Sequence, residues 1–213
     1  MTLPILTPTD IASQAASLET ACTIIQQGGV IVCATDTGYL LGTDGLNPDA
    51  VRKIYQIKGR SFDKPIHLVV ADVEIAKTLA EFTPETEGIF RRLLPGPLTL
   101  ILKKTPLVPE ILVSGLSTIG LRMPEGEWLL ELARRAGTPI TATSANQSGN
   151  ASPFTAQAAI RELGDSVKHV ELIVDHGRTP HSTPSTLLDL TQSPPSILRE
   201  GPVTRAMLSA ILA

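Results

Sequence analysis

Short polar motifs stand at the ends of apolar runs along the chain. They are Thr35-Asp36-Thr37, Lys58-Gly59-Arg60, Pro95-Gly96-Pro97-Leu98-Thr99, Thr118-Ile119-Gly120-Leu121-Arg122, Thr143-Ser144-Ala145-Asn146, Ser185-Thr186 and Arg199. A core needs the apolar runs, but it does not need hydroxyls, amides and arginines at their ends. Strand ends are where an open α/β sheet holds its ligand. The motifs therefore read as one site assembled from many segments, with residue types that suit an anion and an amino acid.

Each motif also has a plainer reading. Lys58 and Arg60, with Lys64 four residues further on, would clamp a phosphate, because a guanidinium forks onto phosphate oxygens and an ammonium adds a point charge. The same cations at a helix C-terminus would simply meet the macrodipole, and in isolation that reading is favoured. Thr35 and Thr37 offer hydroxyls to a carboxylate or hydroxyl, and equally suit a turn. Arg122 closes a strand of small and apolar residues, where a guanidinium needs a partner or an anion. Ser144 and Asn146 lie in a polar loop, Thr143 to Gly149, that suits an adenylate or is only a turn. Ser185 and Arg199 repeat the pattern near the C-terminus.

Composition narrows the classes. Net charge is −3 and aromatic content 3%, so neither a global basic footprint nor a base-stacking platform for RNA is present. There is no Walker-type Gly-rich loop, and no G-x-G-x-x-G follows a strand. The four histidines show no ligand spacing with Cys22 and Cys33, so no protein-held metal is expected. Both cysteines read as buried thiols, which fits a reducing, cytoplasmic compartment. No apolar run is long enough to span a membrane, and no signal peptide is evident.

The elements that must position these motifs follow from periodicity and caps. Apolar residues spaced three or four apart predict a helix from Asp10 to Gln27, followed by a buried strand from Val30 to Ala34. Asn47-Pro48 and Thr83-Pro84 each pair a cap with proline, opening helices through Ile57 and to about Leu94. Asp72 caps a short helix to Ala80. Further helices are expected over Gly126–Ala136, Thr155–Leu163 and Pro202–Leu212, and strands over Ile66–Ala71, Leu98–Leu102, Thr118–Met123, Pro139–Thr143, Val170–Val174, Ser185–Leu190 and Ile197–Arg199. This alternation predicts an α/β fold with a sheet flanked by helices on both faces. Asp175–Pro184 is expected to be a mobile loop.

Taken in order, the motifs resemble the YrdC/Sua5/YciO family of threonylcarbamoyl-AMP synthases over about residues 20 to 205. Ala34 to Tyr39 resembles P-T-D-T-V-Y, and Lys58 to Ile66 resembles K-G-R-P-x-x-K-P-L. Pro95 to Thr99 matches P-G-P-L-T, Thr118 to Pro124 resembles T-V-G-V-R-x-P, and Ser144 to Gly149 matches S-A-N-x-S-G. Ser185-Thr186 and Arg199-Glu200-Gly201 resemble the late S-T-V and R-x-G. Ala34, Gly38, Leu40 and Val69 depart from the pattern; many members carry a histidine at the last position, and Gly38-Tyr39 resembles the YciO branch.

The resemblance implies a twisted mixed open sheet with a large concave cleft, in the short form with one domain over residues 1–213. It implies condensation of L-threonine, bicarbonate and ATP, with Mg2+, into threonylcarbamoyl-AMP and pyrophosphate, for the t6A modification of tRNA by a downstream tRNA threonylcarbamoyltransferase complex. By position Thr35, Thr37, Arg122, Ser144 and Ser185 would hold threonine. Arg60, Lys64, Thr118, Asn146, Ser152 and Arg199 would hold ATP, with Lys58 and Arg60 at the reacting groups. Two other readings stay open: a YciO-like paralogue of different nucleotide chemistry, and a non-catalytic factor with weak RNA binding.

Overall fold

A computed structural model describes residues 3–212. Its strands are β1 (Ile5–Leu6), β2 (Ile31–Thr35), β3 (Gly38–Gly42), β4 (His67–Val69), β5 (Leu98–Lys103), β6 (Thr118–Arg122), β7 (Ile140–Ser144), β8 (Leu172–Val174), β9 (Thr186–Asp189) and β10 (Ser196–Arg199). Its helices are α1 (Ile11–Gln26), α2 (Pro48–Lys58), α3 (Val73–Leu79), α4 (Pro84–Leu93), α5 (Glu110–Val113), α6 (Glu127–Ala136), α7 (Ala156–Leu163) and α8 (Arg205–Leu212). The strands form one mixed sheet in the order β1-β8-β2-β3-β7-β4-β6-β5-β9-β10. The expected α/β class with helices on both faces holds.

The caps act as the sequence indicates. Asn47 Oδ1 accepts from Asp49 N and Ala50 N with Pro48 behind it, Asp72 accepts from Ile75 N, and Thr83 from Thr86 N. Gly59 ends α2 at φ +55°, a left-handed geometry that suits glycine and turns the chain sharply toward Arg60.

Two elements departed from expectation in ways that matter for the site. The chain does not leave the sheet after β2. It reverses over Asp36-Thr37 and returns as β3, antiparallel to β2, with Thr35 opposite Gly38. Favoured two-residue hairpin turns place positive φ in the loop, usually through glycine. Asp36 and Thr37 have no positive φ, so the familiar sequence signal was missing. The second is the segment 175–184. It lacks regular structure but is tied down: Tyr39 Oη lies 2.7 Å from Gly177 O and 3.0 Å from Asp175 Oδ1, Thr179 N donates to Phe154 O, and His181 N donates to Asp36 O. A smaller correction concerns the thiols: Cys33 is buried, as expected, but Cys22 is only half-buried on α1.

The two faces of the sheet are covered unequally, and this makes the site. One face packs against helices along its whole width, through residues such as Ile54 of α2, Leu79 of α3, Phe90 of α4, Leu112 of α5, Ala159 of α7 and Leu208 of α8. Among the described residues the other packs against α1 and α6, through Leu18, Ala21, Ile25, Leu129 and Leu132. The strand residues they meet come from β2, β3, β4, β7 and β8, and none comes from β5, β6, β9 or β10 among the described residues. Side chains alternate along a strand. With Leu68, Leu100, Ile119, Leu121 and Leu188 in the fully covered core, His67, Thr99, Gly120, Arg122 and Ser185 point to the uncovered part of the other face.

Candidate active site

On that uncovered part lies a cavity of about 230 Å³. Its wall takes Thr35 and Thr37 from the β2–β3 hairpin, Arg60 from the turn after α2, His67 from β4 and Arg122 from β6. Ser144 of β7, Ser152, Ser185 and Arg199 of β10 complete it. Eight of the residues singled out in the sequence thus converge: Thr35, Thr37, Arg60, Arg122, Ser144, Ser152, Ser185 and Arg199.

The hairpin orients Arg122. Its Nη2 donates to Asp36 Oδ1 at 2.5 Å and to Thr37 Oγ1 at 3.0 Å, and both members of the ion pair are buried. Asp36 Oδ2 also accepts from Glu125 N at 3.3 Å. Thr35 Oγ1 donates to Gly38 O and accepts from Thr37 N, which fixes the tip. On the opposite wall Arg199 donates through Nε and Nη2 to Ser185 O at 3.0 and 2.7 Å, and Ser185 Oγ lies 2.9 Å from Thr99 Oγ1. Arg60 Nη2 donates to Pro65 O at 3.2 Å.

Among the described residues, two buried side-chain polar atoms lack a hydrogen-bond partner, Arg60 Nε and Arg122 Nε. Buried donors are nearly always paired in native proteins. That both exceptions belong to cavity-lining guanidiniums points to anionic groups as their missing partners.

The remaining sequence candidates lie outside the lining. Lys58 is buried and turned onto the loop after β7, donating to Ser144 O at 2.5 Å, Asn146 O at 2.8 Å and Asn146 Oδ1 at 3.0 Å. All three of its protons are used there. Burial, with Arg60 nearby, pushes its pKa down to about 7. Asn146 is likewise committed: Oδ1 accepts from Ser144 Oγ at 2.5 Å and Nδ2 donates to Asn150 O at 2.6 Å. Lys64 is exposed. Thr118 shares a face of β6 with Arg122 but stands at the other end of the strand.

His67 is a site residue that sequence reasoning missed, and Asp36, named there only within its motif, is the partner that holds Arg122. Burial and the guanidiniums of Arg199, Arg122 and Arg60 push the pKa of His67 down to about 4, so the imidazole is neutral at physiological pH. The alternation of Ile66, Leu68 and Val70 with His67 was the available signal. Val69, the departure noted above, is fully buried under α1 and α6. Among the described residues no cluster of three or more His, Cys, Asp or Glu could hold a metal ion, and no helix is long and apolar enough to cross a membrane.

Comparison with known proteins agrees with this geometry. The sequence model of the Sua5/YciO/YrdC family, described as "Telomere recombination", matches residues 23–201. Threonylcarbamoyl-AMP synthase of Pyrococcus abyssi is 39% identical over 182 residues, which are 85% of this chain and 53% of the relative. The Bacillus subtilis threonylcarbamoyl-AMP synthase is 34% identical over 206 residues, 95% of this chain and 58% of the relative. The chain thus spans little more than half the length of these two relatives. The crystal structure of P. abyssi Sua5 complexed with L-threonine superimposes with a TM-score of 0.91 at 33% identity, covering 99% of this chain and 61% of that one. E. coli YciO superimposes with a TM-score of 0.80 at 29% identity, covering 94% and 96%. Ordered motifs, uncovered sheet face and these similarities converge, and the chain belongs to the Sua5/YciO/YrdC family.

Proposed function

We propose that the cavity condenses L-threonine, bicarbonate and ATP into threonylcarbamoyl-AMP, releasing pyrophosphate. The observation that carries this reading is the set of three guanidiniums on one uncovered sheet face, two of them with a buried, unpaired Nε. Such a site suits several anionic groups at once: an amino-acid carboxylate, a one-carbon anion and a phosphate chain. The resemblance of this chain to proteins named threonylcarbamoyl-AMP synthase, one relative having been crystallised with L-threonine, supports this choice of substrates.

In this reading Arg122 takes the threonine carboxylate, with Thr35, Thr37, Ser144 and Ser185 around the amino acid. Arg60, Ser152 and Arg199 face the ATP phosphates, and Lys64, Thr118 and Asn146 flank that side from outside the lining. Mg2+ enters on the ATP phosphates as part of that substrate. The threonine amine attacks the bicarbonate carbon and a C–O bond breaks with loss of water; the resulting carbamate oxygen attacks the α-phosphorus, and the bond to the leaving pyrophosphate breaks. The chain contributes positioning and charge neutralisation. The setting is the cytoplasm, and the labile mixed anhydride passes to a tRNA threonylcarbamoyltransferase for t6A formation.

The test is pyrophosphate release from ATP, with L-threonine and bicarbonate present or withheld and with serine as a control. Release requiring both is the expected result. No release from a protein that still binds ATP would assign the cavity to other nucleotide chemistry. Arg60→Ala should raise the KM for ATP about 10- to 100-fold, since a charged hydrogen bond to phosphate is lost. Its thermal midpoint should stay nearly unchanged, because among the described residues the Arg60 side chain makes a single hydrogen bond, at 3.2 Å to Pro65 O. Thr37→Val should raise the KM for threonine about 10-fold with little change for ATP. Equal shifts in both would place Thr37 elsewhere.

A further inference from the structure

His67 is a cavity residue that the roles above leave unused. Its ring lies over β6 at Gly120, where an added Cβ would stand 2.4 Å from His67 Cδ2 and 2.8 Å from Cγ. The absence of a side chain at position 120 is what lets the imidazole lie on the sheet and face the cavity.

Its chemistry differs from that of its neighbours. Guanidiniums donate hydrogen bonds and accept none. The lining hydroxyls are mostly spent inside the protein: Thr35 on Gly38 O, Thr37 on Arg122, Ser144 on Asn146, and Ser185 on Thr99 and Arg199. As acceptors, Ser144 Oγ, which only donates there, Thr143 and Ser152 stay free, and so does His67, a nitrogen base that shares the lining with Arg60, Arg122 and Arg199. β4 pairs with β6, the strand of Arg122, so His67 stands beside the amino-acid side in a lining it shares with Arg60 and Arg199 on the phosphate side. A one-carbon anion that must meet both the threonine amine and the α-phosphate has to sit there. Bicarbonate carries an O–H that guanidiniums cannot accept.

We propose that His67 accepts the O–H of bicarbonate and so holds the one-carbon substrate between the threonine and the phosphates. The inference rests on the synthase reading. It makes His67 a substrate-contacting residue for bicarbonate, placed two positions from the family's histidine on the same face of β4.

The test is steady-state pyrophosphate release with each substrate varied in turn, for the wild type, His67→Leu and His67→Gln. His67→Leu should raise the KM for bicarbonate about 10- to 100-fold and leave those for threonine and ATP within about 2-fold. His67→Gln, which keeps an acceptor, should recover much of the loss. A rise confined to threonine would overturn the proposal in favour of contact with the amino acid. A rise in all three with a lower thermal midpoint would make His67 a packing residue over Gly120, and no change would make it a bystander. A second readout needs no turnover: bicarbonate added to threonine-saturated, ATP-free protein should move the 15N resonances of the His67 ring. An unmoved ring overturns the contact even where pyrophosphate release confirms the synthase. A wild type without threonine- and bicarbonate-dependent release refutes the synthase reading separately.

Discussion

Arg122→Leu should slow pyrophosphate release steeply and destabilise the protein together. Two separate causes act. The first follows from the proposed function: among the described residues Arg122 carries one of the two buried, unpaired Nε donors, on the cavity wall. Losing a preorganised charged donor costs about 10²- to 10³-fold in turnover, and the KM for threonine should rise as well. The second is structural. Arg122 is the ion-pair partner of Asp36, whose side chain is fully buried at the hairpin tip. Removing one member of a buried pair leaves an uncompensated charge and costs about 3–5 kcal/mol. Asp36 would keep only the 3.3 Å contact from Glu125 N and the 3.4 Å contact from Thr37 Oγ1. Asp36→Asn tests the partition. It relieves the buried charge in an Arg122→Leu background, so the double variant should regain part of the thermal stability and none of the activity. Recovery of activity would show that Arg122 serves only to hold Asp36.

Much of this site was legible because its chemistry is local. Caps such as Asn47-Pro48 and Thr83-Pro84 satisfy orphan backbone donors within one turn, so they announce helices wherever the chain goes. Arg122 and Ser144 stood out because each ends an apolar run in a residue that a core does not need. What stayed hidden depends on distant pairing. β3 pairs with β7, and β7 with β4, and no local signal encodes either contact. Two-residue β1 and four-residue α5 are too short to show a period. His67 looked like part of an apolar strand until the alternating core residues and the uncovered sheet face were both known. Lys58 shows the limit most clearly. A cation at a helix end reads as a phosphate ligand or a macrodipole partner, and its hydrogen bonds to the Ser144–Asn146 loop, 86 to 88 residues away, have no local signal at all.

Lys58→Met should therefore act through that loop. Three acceptors, Ser144 O, Asn146 O and Asn146 Oδ1, lose their donor in a buried place. Unsatisfied buried groups cost about 1–3 kcal/mol each before relaxation, so a lower thermal midpoint is expected. Ser144 lines the cavity, and Ser148 N bonds Lys58 O, so the loop that shapes one wall is tethered at both points to the end of α2. A displacement of about 1 Å at a reacting geometry is enough for a loss of about 10²-fold. Asn146→Ala provides the comparison, because it removes the amide that joins Lys58 to Ser144 Oγ and leaves the ammonium in place. If Lys58 works by positioning, the two variants should lose turnover to similar extents and their effects should not add. If the ammonium instead touches the reacting phosphate, Lys58→Met should be far the worse of the two, and the losses should multiply in the double variant.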